Sequence, residues 1–520
     1  MRYKRSNNPP VQTSSQELID KPISSKLQEN MDDLHKLLER CSDAVFKEFT
    51  FGPNGENRGL VIFFDGLVDK RQIELNLLKS LMLELNMQSD NSYPWPKHDV
   101  FKLVEESIVS LAEVKTTDTL QDICHHISSG DTILLIDGYN TGLVAGTRSW
   151  QGRSIQSSEN EVVVRGPKEA FTETLRFNTA LLRRRIKSAN FKIESFVLGR
   201  ITKTDVVLCY IDGIAPEELV ADVKNRLGKI DIDGILDTGY LEEFLEDNHR
   251  TIFSQMEYTE KPDRVCGHLL EGQVAIMVDG SPIVLIAPTS FPRFWIASED
   301  YYERFIPASL FRIMRFAAFL VSLLLPSFFV AAITYHQEMI PPPLYLTIAA
   351  TREGVPFPAF VEALLLELTF EMLREAGIRL PRAIGPAISI VGALIIGDAA
   401  VKAGLVSTPM VVVVAFTGIA SFIIPSYNAG LVVRIARFGF LISAAFLGLF
   451  GIMIALLFML IHMANLNSFG LPYLSPIAPF NQGQMTDIIV RRPWFMNTMR
   501  PKMKGTENAD RQKKANSQNK

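Results

Sequence analysis

The chain has 520 residues, 53 basic and 57 acidic side chains, four cysteines and a mean hydropathy of +0.13. Phe316–Gly470 carries 14 charges in 155 residues, about 9%, whereas the other 365 residues carry 96, about 26%. That contrast excludes a globular protein in one environment and predicts a soluble N-terminal region followed by a membrane domain.

Residues 1–30 are polar and rich in Pro and Ser, which predicts a flexible tail. From Met31 to Phe49, Leu34, Leu37, Leu38, Cys41, Val45 and Phe46 recur at helical spacing. Leu60–Phe64 reads as a strand ending at Asp65-Gly66, and Thr132–Ile136 as a second ending at Asp137-Gly138. Helices are expected near 72–87 and 99–112. Together, 31–155 forms a first small α/β subdomain.

A connecting helix is expected over 156–189, with Pro167 at its start and Arg183, Arg184, Arg185 and Lys187 at its C-terminal end. The acidic surroundings, a net charge of −10 over residues 1–315, speak against nucleic-acid binding by those cations. A second α/β subdomain spans 190–292, with strands at 191–198 and 205–211 and an amphipathic helix at 216–227. Val274–Val278 and Ile283–Ala287 flank a hairpin turn at Asp279-Gly280. The similar size of the two subdomains suggests a duplication without establishing it.

The membrane domain, 293–470, is all-α and polytopic, with spans expected near 316–335, 384–402, 408–425 and 438–463. Aromatic residues and Arg312 and Arg315 precede the first span, as headgroup-level and cytoplasmic residues do. Pro326 is a candidate kink within it. The segment 355–375 is a re-entrant element or an extra span. It contains Pro356 and Pro358, also candidate kinks, and Glu362, Glu367 and Glu371. At 100° per residue, Glu367, Glu371 and Glu375 fall at about 140°, 180° and 220° from Glu362. They form an acidic stripe, with Glu362 alone among aliphatic residues. Intramembrane carboxylates mark ion paths or bury as hydrogen-bonded groups, and an amphipathic surface helix is the plainer alternative. Glu362, Glu367, Glu371, Val361 and Leu365 are the candidate pore-lining residues.

Residues 471–520 carry nine basic and three acidic side chains, a basic tail suited to anionic headgroups or to plain solubility. Arg312, Arg315 and this tail place both termini inside, which requires four spans, while Arg374, Arg379 and Arg382 favour five and an external tail. Met1–Gln16 lacks an apolar signal core, so the N-terminal region is expected to stay in the cytosol.

Nucleotide-binding, zinc-protease and serine-hydrolase signatures are absent, and the cysteines have no metal spacing. His125-His126 beside Cys124 is a poor metal site because adjacent residues point apart. No catalytic residue, metal or cofactor is expected. The remaining classes are channel, transporter and membrane receptor.

Val164-Arg165-Gly166-Pro167, Arg183–Ser188, Ile230–Leu236 and Glu299–Phe305 resemble the A subunit of spore germination receptors, the GerA family. So do Gly354–Pro358, Leu373–Gly377, Ser389–Leu394 and Ser475–Phe480, in the family's order, so the resemblance covers about 55–495. It implies a multi-pass protein of the spore inner membrane, its N-terminal region on the cytoplasmic (spore core) side. It also implies a transporter-like B subunit and a lipoprotein C subunit as partners, and assembly of copies into a nutrient-gated cation channel. The glutamate-bearing helix would then contribute to the pore. A paralogue of the SpoVA-operon type, a non-conducting scaffold and a secondary-transporter component are the alternatives. A transporter should show inverted repeats, and only one broken segment is evident.

Overall fold

The computed structural model describes residues 18, 20–52, 55–84, 100–107, 114–149, 161, 163–379, 397–481, 485, 487–501, 505, 508 and 510–511. Two five-stranded antiparallel sheets come first. In the first, helix α1 (Leu27–Leu37) precedes β1 (Ala44–Phe51) and β2 (Asn57–Phe64). Helical turns from Lys70 to Glu84 and α2 (Val100–Ser107) follow, then β3 (Val114–Thr117), α3 (Leu120–Ser128), β4 (Thr132–Ile136) and β5 (Gly142–Ala145). In the second, α4 (Leu175–Arg185) leads to β6 (Phe191–Leu198), β7 (Thr204–Ile211), α5 (Glu217–Leu227) and α6 (Thr238–Leu245). β8 (Glu257–Thr259), α7 (Pro262–Leu270), β9 (Val274–Val278) and β10 (Val284–Ala287) complete it.

Strand residues alternate between two cores, as the period of two requires. Leu60, Ile62 and Phe64 pack under α1 and α3, whereas Val61 and Phe63 face the helical turns and α2. Val206, Leu208 and Tyr210 face α5 and α6, and Val207, Cys209 and Ile211 face α4 and α7.

The strand orders are β1-β2-β4-β5-β3 and β6-β7-β9-β10-β8, the same path traced twice. The likeness reaches single bonds. Asn30 exchanges hydrogen bonds with the backbone of Ser24, at 2.6 and 2.8 Å, as Asn178 does with Thr172. Asp137 accepts the N–H of Leu27 at 2.9 Å, and Asp279 that of Leu175 at 3.0 Å. Two copies of one module meet through the edge of β6, where Ile193 bonds the backbone of Arg40 and Ser42. There Arg183 donates to both oxygens of Asp43, at 2.7 and 2.8 Å, and to Phe191 O at 2.9 Å.

Several expectations are corrected. The region 1–30 is packed from Lys21 on: Ile23 is buried and its N–H bonds Asp118 O. The helix expected over 31–49 stops at Leu37, and Val45 and Phe46 belong to β1, where Phe49 and Phe51 alternate with exposed residues. The connecting helix starts at Leu175, not at Pro167, and Arg184 and Arg185 pair with Glu169.

The helical half begins with α8 (Phe305–Thr334), with Pro326 inside it, and continues through α9 (Pro342–Arg352), α10 (Ala359–Arg379), α11 (Thr408–Phe422) and α12 (Tyr427–Asn465). Among the described residues, two helices are long and apolar enough to cross a membrane, α8 with 30 residues and α12 with 39. The 408–425 candidate is a helix of 15 residues, and most of 384–402 lies outside the described residues. Pro356 and Pro358 kink no helix; they lie in the loop separating α9 from α10. The kink falls instead at Gly448 in α12, at φ 60° and ψ −140°. A Cβ there would lie 3.0 Å from His336 Nε2 and 3.1 Å from Tyr335. Those two α8-end residues serve the opened backbone: Leu449 N–H donates to His336 at 3.3 Å, and Tyr335 donates to Ala445 O at 2.7 Å.

Past α12 the chain returns to the second module. Ser468 Oγ donates to Gln255 O at 2.6 Å and accepts from Thr289 N at 3.0 Å, and Phe291 N donates to Tyr473 O at 2.8 Å. Three described arginines of the basic tail bond within the chain: Arg491 is buried against the carbonyls of Tyr301 and Glu303, Arg500 donates to Leu270 O, and Arg511 pairs with Glu271 at 2.6 Å.

Candidate functional site

α10 is built from strong helix formers and starts where Pro358 O accepts the N–H groups of Val361 and Glu362. Three of its four glutamates turn inward. Glu362 is fully buried and accepts three hydrogen bonds, Oε1 from Arg352 Nε at 3.1 Å and Oε2 from Ser407 N and Oγ at 2.9 and 2.7 Å, with Arg352 Nη2 also 3.0 Å from Oε1. Since Arg352 ends α9 and Ser407 precedes α11, one carboxylate ties three helices together.

Glu367 faces the other way and pairs with Arg437 of α12, both side chains being 1% exposed. One turn on, Glu371 lies between Arg434, 3.2 Å from Oε2, and Arg374, 3.3 Å from Oε1. Arg374 also donates to Ser421 Oγ at 2.7 Å and sits 4.9 Å from the ring centres of Phe370 and Phe422. α11 approaches closely because Gly418 lies under the Phe370 ring, which a Cβ would meet at 2.5 Å. Glu375 is outside this cluster, 61% exposed and paired with Arg379.

The buried charges of α10 thus fall into two groups: Glu362 with Arg352 between α9, α10 and α11, and Glu367 and Glu371 with Arg374, Arg434 and Arg437 between α10 and α12. Burying charge at this density is tolerated only with partners. Some capacity stays unused: Arg437 Nε and Nη2, Arg374 Nε, Glu367 Oε1 and Glu371 Oε1 have no hydrogen-bond partner. The outward face of α10 carries Leu365, Leu368 and Met372 instead, with Val361 half-buried beside them. Of the sequence candidates, then, Leu365 is at the surface, and Glu362 and Glu367 are in the interior of the chain.

Sequence reasoning passed over Arg352, Ser407, Arg434 and Arg437. Their signal was the charge balance of Phe316–Gly470, seven acids against seven bases. Elsewhere, Cys124 is buried, which pushes its thiol up to about 12, and His126 bonds Asp131 at 2.9 Å. Among the described residues no cluster of three metal-ligating side chains occurs.

Comparison with known proteins gives consistent matches. The sequence model of the Bacillus/Clostridium GerA spore germination protein family matches residues 32–503. Spore germination protein KA of Bacillus subtilis (strain 168) is 42% identical over 492 residues, 95% of this chain and 89% of that protein. A protein of the same organism named "uncharacterized membrane protein YfkQ" is 44% identical over 482 residues, 93% of this chain and 92% of its own. Among solved structures, the N-terminal domain of the A subunit of the Bacillus megaterium spore germinant receptor GerK3 is 36% identical. That match covers 52% of this chain and 98% of the domain, with a TM-score of 0.42.

Proposed function

The chain belongs to the GerA family of spore germination proteins, and from that premise we propose that it is the A-type subunit of a nutrient germinant receptor. The observation that carries this reading is the extent of the family match, which runs through both α/β modules and the charged helices alike. In this reading the chain sits in the spore inner membrane with its α/β modules on the core side. It works with a transporter-like B subunit and a lipoprotein C subunit, and copies of it assemble around a cation path.

The return of the chain to the second module after α12 supports an even number of crossings between Phe305 and Asn465. It therefore favours four spans over five. The placement of side chains on α10 refines the path. The face formed by Val361, Leu365, Leu368 and Met372 lines it, and the carboxylates act from behind, held by arginines. With one more arginine than glutamate, the group of Glu367 and Glu371 repels cations until the pairs rearrange, which suits a path closed at rest.

The same pairing favours one other reading, a non-conducting scaffold in which the charges only hold helices together. Cation release separates the two. In spores where this is the sole receptor of its family, Leu365→Glu, on the exposed face of α10, should alter the rate of monovalent-cation release after exposure to rich medium. Unchanged release at normal protein levels would leave the scaffold.

A further inference from the structure

The five residues Glu299–Glu303 stand just before α8, and their side chains reach four parts of the molecule. Glu299 accepts the N–H of Val164, in the linker between the two modules. Asp300 is buried and accepts from Arg312 Nε at 2.9 Å and Arg315 Nη1 at 2.7 Å, both in the first turns of α8. Tyr301 donates to Asp487 in the C-terminal segment at 3.1 Å, and its carbonyl accepts from Arg491 and Trp494. Tyr302 donates to Asp263 of α7, in the second module, at 2.5 Å. Glu303 pairs with Arg165 of the linker at 3.6 Å, and its carbonyl accepts from Arg491 at 3.0 Å.

We infer that Glu299–Glu303 is the joint through which a rearrangement of the two α/β modules reaches α8, with Asp300 as its positioning residue. The linker follows the first module in the chain, its Glu161 pairs with Arg264 of α7 at 3.2 Å, and α7 belongs to the second module, so the joint is tied to the second module by contact and to the first by chain connection. Arg312 is 2% exposed and cannot leave Asp300 without stranding a buried charge. A shift of the joint therefore obliges α8 to move or to lose its anchor. The C-terminal segment closes the joint from the far side, since Arg312 also donates to Asp487 O and Arg491 bridges two of its carbonyls.

The biological part of this inference rests on the receptor reading; its physical part does not, and two experiments keep them apart. In the purified full-length chain in detergent, Arg165→Ala alters only the linker. It should nevertheless speed amide exchange over residues 305–315 by about tenfold, and Asp300→Asn should remove any further effect of Arg165→Ala. A change confined to residues 161–166 would overturn the joint. In spores carrying the chain as the sole receptor of its family, Tyr302→Phe keeps the ring and removes one hydrogen bond. At normal membrane levels it should slow germination in rich medium by about 5-fold or more. Asp300→Asn should slow it further, and wild-type rates from both variants at normal levels would overturn the inference. Wild-type spores that ignore rich medium would instead sink the receptor reading, while the exchange experiment still decides the joint.

Discussion

Arg437 of α12 donates to Glu367 of α10, and this single hydrogen bond holds two side chains that are each 1% exposed. Nε and Nη2 of the guanidinium and Oε1 of the carboxylate stay unpartnered. Losing one member of such a pair leaves an uncompensated buried charge. Glu367→Gln or Arg437→Gln alone should each destabilise the helical half by about 3–5 kcal/mol. The double variant should lose less than the sum. Thermal unfolding in detergent, run as a double-mutant cycle, measures the difference.

Gly448 should tolerate no side chain. Alanine there must hold φ at +60° and press on His336 and Tyr335. The expected cost is about 1–3 kcal/mol. It should appear as faster amide exchange on both sides of the kink, in 440–456, with α11 unaffected.

The two α/β modules should separate when their shared ion pair is cut. Arg183 and Asp43 are 1% and 2% exposed, and Arg183 lies 4.0 Å from the centre of the Phe64 ring. Arg183→Met keeps the length and removes the charge, stranding Asp43, at a cost of about 3–5 kcal/mol. Calorimetry should then resolve two transitions for the α/β region where the wild type gives one.

Glu246 makes the second module sensitive to pH. Burial, reinforced by Glu242 and Asp247, pushes its carboxyl up from 4.5 to about 7. The folded chain keeps that proton through this window while the unfolded chain releases it, so stability falls as pH rises from 4.5 to about 7. Glu246→Gln retains an oxygen for the N–H of Gln255, which donates at 2.5 Å. The variant should therefore gain stability relative to wild type across that window and hold the gain above it. Chemical denaturation at a series of pH values gives the comparison.

Much of the fold was legible in the sequence, because strands with both faces buried read as unbroken apolar runs. Thr132–Ile136 and Val274–Val278 lie where those runs do. The first helix was extended too far because Val45 and Phe46 happen to continue its spacing, and only pairing with β2 shows them to be strand. Pro167, Pro356 and Pro358 were credited with starting or bending helices, yet all three sit in connections, where proline is equally at home. The site was half legible. The angular pattern of α10 singled out its glutamates but treated the helix as if it had one inside. In fact α9 and α11 cover one side and α12 another, so Glu362 and Glu367 are both buried although about 140° apart. What a helical wheel cannot contain is the arginine 70 residues away that makes such burial affordable.

The repeated strand order has a consequence for where the helical half begins. In each copy a helix comes first, α1 or α4, and is seated by an aspartate from the turn before the last strand, Asp137 or Asp279. When the first copy ends at β5, the chain runs through the linker into α4, the opening helix of the second. When the second ends at β10, the chain runs through a connection of similar standing into α8. In order along the chain, α8 thus occupies the place where a third copy would open. The first apolar helix stands as a successor to α1 and α4, but Asp300, in its connection, holds it by the side chains of Arg312 and Arg315 and not by a backbone N–H.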